Sequence, residues 1–364
     1  MSVGFFWDEC CFWASGGNYA FMAPVGGLVQ PLAGSGLAEN PETKRRFKNL
    51  IDVSRMAAHL ACRSAPTATE EDLRRIHPAR YLDAFKAASD AGGGELGLRA
   101  PFGPGGYEIA AQSAGLAKGA VAAVLSGACR QAYALSRPPG HHCLPDGPNG
   151  FCVLANIAIA LEAARAGSPD LRVAVLDWDV HHGNGTEAIY AGRDDTLTIS
   201  IHQERNYPLN TGAADTDAQA NLNIPLPPGA GHASYLYAME RIVLPALHRF
   251  QPDLIVVASG FDAAAFDPLS RMLATADTFA AMTAQVMEAA HALCGGRIAF
   301  VHEGGYSEVY VPFCGHAVLE TLLPDAPKAP DPFAATLAAR QPNPRFEQFV
   351  ATIIDELAVF HGTA

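Results

Sequence analysis

Five short apolar runs punctuate the chain, at residues 131–136 (QAYALS), 172–177 (RVAVLD), 196–201 (TLTISI), 254–259 (LIVVAS) and 297–302 (RIAFVH). Runs this short, apolar at consecutive positions rather than alternate ones, suit strands covered on both faces. Helical spacing of apolar residues marks 107–126, 151–166, 232–249 and 276–294. Repeated strand–helix–strand units predict an α/β fold with a mainly parallel central sheet and helices on both faces. Two stretches break the pattern. Residues 7–42 are rich in Gly, Pro and Ala, and 91–106 read AGGGELGLRAPFGPGG. Structureless stretches of that length are usually functional or mobile loops. The sequence therefore predicts one domain, with an extended loop region at 1–44, a core at 45–322, and a proline-rich segment with a last helix at 323–364.

The polar chemistry collects where the apolar runs end. After 131–136 come His141 and His142, and after 172–177 come Asp179 and His181. After 254–259 come Asp262 and Asp267, and after 297–302 comes Tyr306. In an open parallel sheet, ligands bind outside the carboxyl ends of the strands. If the chain stays extended past Asp177, then Asp177, Asp179 and His181 point to one side, because side chains alternate. A carboxylate and an imidazole on one side make half of a metal site, and Asp267 can arrive from another strand end. Three nitrogen or oxygen ligands with an open position describe a catalytic zinc site. The same donors suit Fe(II) or Co(II). A plainer reading makes Asp177 and Asp179 caps of a helix that starts near Asn184.

Charge and cysteine usage narrow the field. Lys and Arg total 25 against 37 acids, for a formal net charge of -12, and no block of basic residues occurs. Nucleic-acid binding thus has no electrostatic footprint, whereas an acidic surface can steer in a cationic substrate. The start, MSVGFFWDECCFW, makes a poor signal peptide, since acids interrupt its apolar residues and no basic residue precedes them. No apolar stretch reaches the roughly 18 residues of a membrane span. The eight cysteines show no CxxC spacing, so the expectation is a reduced, cytoplasmic protein.

The motifs PPGHH (138–142), GFC (150–152), DWDVHHGNGT (177–186), FDP (266–268) and EGGY (303–306) resemble the histone deacetylase family in identity, order and spacing. The resemblance spans about residues 45–320, and HHGNG looks like the class II branch, with PETKRRF (41–47) similar to bacterial deacetylase-like amidohydrolases. It implies an arginase-like fold and a zinc-dependent deacetylase of acyl-lysine-like amides. A small-molecule amidase acting on acetylpolyamines or aryl amides is the alternative. It implies Asp179, His181 and Asp267 as zinc ligands, His141 paired with Asp177, and His142 paired with Asn184. Gly150, Phe151 and Tyr207 match the substrate channel. A potassium ion is implied near Asp177, Asp179, His181, Ser200 and Ile201, and a second near Tyr190, Arg193 and Thr196. Adjacent histidines with opposite partners divide the work, one neutral and one charged. His142 then acts as base and acid, His141 as a positive charge, and Tyr306 as donor to the oxyanion. Acetylpolyamine enzymes of the family carry an acidic gate seven residues after the last zinc aspartate, and here that offset falls on Ala274. The expected partner is an acylated lysine side chain or small amide, with no nucleic acid and no membrane, and a homo-oligomer stays open.

Overall fold

A computed structural model describes residues 2–30, 36–214 and 220–364. Eight strands form one sheet. They are β1 (Val3–Phe6), β2 (Leu60–Arg63), β3 (Gln131–Ala134), β4 (Val173–Asp177), β5 (Thr196–Gln203), β6 (Asn221–Leu226), β7 (Leu254–Ser259) and β8 (Ile298–His302). They lie in the order β6-β5-β4-β7-β8-β3-β1-β2, and every neighbouring pair is parallel. The order divides the sheet by sequence. The three strands from the first 134 residues stand together, as do the four from residues 173–259, and β8 lies between the two groups, paired with β7 and β3.

The two faces of the sheet bury different side chains. On one, Tyr133, Leu176, Ile199, Val257 and Phe300 pack with Phe279 and Met282 of helix Ala276–Cys294 and Phe47 of helix Glu42–Val53. On the other, Ala132, Val175, Val256, Ala258 and Ala299 meet Ala117, Val121 and Leu161. Small residues on that second face let the Ala- and Gly-rich helix Gly106–Leu125 approach closely. This alternation is the period-2 pattern of a strand covered on both sides.

All five expected strands are present, and three more join them. β1 is only four residues long and contains Gly4, where a side chain would come within 2.8 Å of Cys129 Sγ. β2 is a half-exposed edge strand. β6 (NLNIPL) interleaves asparagine and contains Pro225, which suits an edge. None of the three offers a continuous apolar run. The 232–249 pattern forms two α-helical segments joined by a π-turn at Met239–Val243. Helix Asn156–Arg165 starts later than residue 151, because residues 149–152 make turns around Phe151, whose φ is +65°. Within the two long loops, Tyr19–Ala20 pairs with Ala23–Pro24, and Gly94–Glu95 pairs with Pro101–Phe102. Part of the first loop, residues 31–35, lies outside the described residues. No helix among the described residues is long and apolar enough to cross a membrane.

Candidate active site

β4, β7 and β8 end side by side, with Ala258 opposite Asp177 and Ser259 opposite His302 in register. Past β4 the chain turns so that Asp177, Asp179 and His181 are all buried at the sheet's carboxyl end. Asp177 Oδ1 accepts from the Asp179 N–H at 3.0 Å, and Asp179 Oδ1 from the His181 N–H at 2.9 Å. Each side chain thereby fixes the backbone two residues on.

Around His181 the carboxylates converge. Its Nδ1 lies 3.0 Å from Asp262 Oδ2 and 3.1 Å from Asp179 Oδ1. Ligand atoms of Asp179, His181 and Asp262 all fall within 4.8 Å of one another. Asp267 borders this group. Burial and the charge of Asp262 push its carboxyl well above the usual carboxylate range, and His181 partly offsets them. Its oxygens accept from the N–H groups of Leu269 (2.9 Å) and Tyr306 (2.7 Å). Burial alone would push His181 down, but Asp262 and Asp179 outweigh it and raise the imidazole to about 10. Burial and the charge of Asp179 push Asp262 up to about 6. Buried carboxylates that draw a proton this strongly form a field a dication would satisfy equally well.

Glycines make room for the cluster. A Cβ on Gly260 would stand 2.2 Å from Asp179 Oδ2, and one on Gly304 would stand 2.2 Å from Asp262 Oδ2. The donors are all nitrogen and oxygen, which fits zinc or iron. Asp262 has no assigned role in the sequence reading, although its place directly after an apolar run is the signal shared by the other site residues.

The two adjacent histidines stand in different environments. His141 Nδ1 meets Asp177 Oδ2 at 2.8 Å, and His142 Nδ1 meets Asn184 Oδ1 at 2.8 Å. Burial disfavours charge on both rings. For His141 the carboxylates of Asp179 and Asp177 reverse that and raise it well above its ordinary value. For His142 burial and the positive charge around His141 and His181 push it well below. Glu303 supports the loop that carries the pair, since its Oε2 accepts from the N–H groups of Gly140 (2.6 Å) and His141 (3.1 Å).

A pocket of about 180 Å³ opens onto these groups, lined by Met22, Arg99, His142, Gly150, Phe151, His181, Asn206, Tyr207, Leu269 and Tyr306. His142, His181 and Tyr306 are buried and form its floor, whereas Arg99 is exposed at its mouth. Phe151 stands 5.7 Å from the Tyr306 ring, and Tyr207 stands 5.1 Å from the His142 ring. Gly150 has φ +49°, and a Cβ there would reach 2.4 Å from His142 Cδ2, so the wall closes only on glycine. The Tyr306 hydroxyl makes no hydrogen bond to a described residue, and burial raises it well above its ordinary value.

Ala274 does not line this pocket, which corrects the expected gate position. It is fully buried in the apolar core, and its N–H donates to the Ala263 carbonyl at 3.1 Å. A short loop folds back there onto residues 263–265, so distance along the chain misjudges the mouth. Met22, Arg99, Asn206 and Leu269 are lining residues the sequence reading missed. All lie in loops without motif or periodicity. Of the potassium-site residues, Asp177 and Ser200 are register partners, and Ser200 Oγ lies 2.9 Å from His202 Nδ1. At the second group, the Arg165 guanidinium donates to Thr196 Oγ1 at 2.6 Å and lies over the Tyr190 ring.

The histone deacetylase domain matches residues 38–322. Across 99% of its length the chain is 58% identical to the histone deacetylase-like amidohydrolase of Pseudomonas aeruginosa, covering 96% of that protein. It is 32% identical to histone deacetylase 8 of Arabidopsis thaliana, over 89% of this chain and 88% of that one. The crystal structure of the HDA15 HD domain superposes with a TM-score of 0.80 at 27% identity, over 99% of this chain and 98% of that one. A parallel sheet of arginase-like type whose strand ends carry this site defines a hydrolase of amide bonds. The chain belongs to the histone deacetylase family.

Proposed function

We propose that this chain is a zinc-dependent deacetylase of N-acyl amides of the acyl-lysine type. The reading rests on one observation above the rest: two adjacent buried histidines, one facing Asp177 and the other Asn184, at the floor of a narrow aromatic-walled pocket. Asp179, His181 and Asp267 would hold the metal, with Asp262 supporting His181. Bound there, zinc would polarise the amide carbonyl and acidify water. The remaining steps belong to the protein. Neutral His142 takes a proton from the attacking water and returns it to the departing amine nitrogen. His141, held protonated beside Asp177, supplies fixed positive charge. Tyr306 donates its free hydroxyl to the carbonyl oxygen as negative charge develops. Phe151 and Tyr207 exclude water from the acyl group and its aliphatic stem. A potassium ion near Asp177, Ser200 and Ile201 would be structural in this scheme.

Acetylpolyamines are the weaker reading, because no described pocket-lining residue is a carboxylate that could receive an ammonium. The decisive experiment measures hydrolysis of an acetyl-lysine peptide by zinc-loaded enzyme, by chelated enzyme and by the His142→Ala variant. Only the first should turn over, and undiminished turnover by the variant removes His142 from the mechanism.

A further inference from the structure

The protein carries a net charge of -12, yet the only formally charged side chain of fixed sign among the described pocket-lining residues is the cation Arg99. Its position is built in. The Arg99 carbonyl accepts from the Phe151 N–H at 2.8 Å, and the Leu98 carbonyl accepts from the Gly150 N–H at 3.0 Å. The segment carrying Arg99 is therefore stitched to the channel wall. Its guanidinium lies 5.5 Å from the centre of the Tyr207 ring, the opposite wall. The backbone of Arg99 sits at φ +55°, a conformation costly for a branched or bulky residue and typically kept where it serves a site.

No carboxylate among the described residues forms an ion pair with Arg99. Glu95 is the nearest acid on the same loop, but its oxygens accept from the Tyr19 hydroxyl and the Ala100 N–H, both at 3.1 Å. An adjoining cleft shares Met22, Arg99 and Phe151 with the pocket and extends between the two long loops, past Tyr19, Leu98 and Glu95, whose carboxylate is held on the Tyr19 hydroxyl and the Ala100 N–H. Room therefore exists beyond the guanidinium for the far end of a substrate.

We infer that Arg99 is a carboxylate-recognition point at the channel mouth. The favoured substrates are acylated amines that carry a carboxylate at the end remote from the acyl group, and cationic polyamine derivatives are disfavoured. This rests on the reading of the pocket as an acyl-amide channel. A guanidinium is the residue type suited to this task, since its fork matches a carboxylate through two parallel N–H donors.

The test uses two hydroxamates that differ only at the far end, octanedioic acid monohydroxamate and its primary amide. Their dissociation constants are measured on zinc-loaded enzyme by calorimetry. The carboxylate should bind roughly 5-fold tighter than the amide at low ionic strength, with the gap closing at high salt. Arg99→Gln should bind the two equally, and Arg99→Glu should prefer the amide. Equal affinities in the unaltered enzyme, a salt-independent gap, or a preference that survives in Arg99→Gln would overturn the assignment while leaving the channel reading intact. If neither hydroxamate binds, the channel reading falls and takes this inference with it. The salt dependence is read on the unaltered protein, so a variant that fails to fold does not remove the test.

Discussion

At the scale of single residues, the site works by giving chemically identical groups different neighbours. His141 and His142 are adjacent in the chain, and their ring centres are 4.0 Å apart, yet their surroundings push the first above its ordinary value and the second below it. Replacing Asn184 by Asp would place an anion at His142 Nδ1, raising that ring's pKa. The base form would then appear only at higher pH, so the acid limb of the kcat/KM profile should move upward. An unmoved limb means that Asn184 does not govern His142. Tyr306→Phe should lower kcat by about 10²–10³, the usual loss for one oxyanion donor, while hydroxamate affinity changes far less. Comparable losses in both would make the hydroxyl a binding group. That the motif residues gather at one end of the sheet was legible in the sequence, because each follows on an apolar run. Arg99 and Met22 were not, since only the folded loops bring them to the pocket.

At the scale of elements, the strand-to-loop junctions carry the electrostatic load. Glu303 follows β8 directly and ties it to the loop bearing His141. Burial pushes its carboxyl up to about 7, against the charge of His141, which lowers it. Because the folded-state value exceeds the ordinary carboxylate value, the folded protein binds the extra proton between about pH 4.5 and 7. Stability from this group is full below that window and is lost as pH rises through it. Glu303→Gln should therefore gain in melting temperature relative to the unaltered protein as pH rises from 5 to 8, by a few degrees. A constant difference across that range would show that Glu303 does not titrate there. The five principal strands were visible in the sequence because burial on both faces demands apolar runs. β1, β2 and β6 were hidden because they are short, lie near or at an edge, or mix asparagine and proline into the pattern. The error at Ala274 is of the same kind: a count along the chain carries no information about a loop that folds back on itself.

For the whole molecule, the notable imbalance is the number of carboxylates taken into the interior. Asp177, Asp179, Asp262, Asp267 and Glu303 are all buried near one another. Ionised carboxylates are costly to bury without compensating cations. Metal binding should accordingly raise the melting temperature, since a ligand near 1,000 times its Kd adds about 4 kcal/mol. Scanning calorimetry of chelated and zinc-loaded protein reads this directly. Asp179→Ala should abolish the zinc-dependent rise, and retention of the full rise would place the metal elsewhere.

The order of strands also bears on how the candidate site can be assembled as the chain is made. Residues up to 134 and residues 173–259 each make a contiguous group of strands, and the two meet only through β8. His141 and His142 follow the first group, Asp179, His181, Asp262 and Asp267 belong to the second, and Tyr306 follows β8 itself. A chain still short of residue 298 thus lacks the one strand that joins the two groups, and its candidate site residues belong to two separate sets of strands. The strand that joins them also leads directly to Tyr306, the proposed donor to the oxyanion. In the proposed mechanism, the full set of site residues therefore comes together only when the sheet is complete.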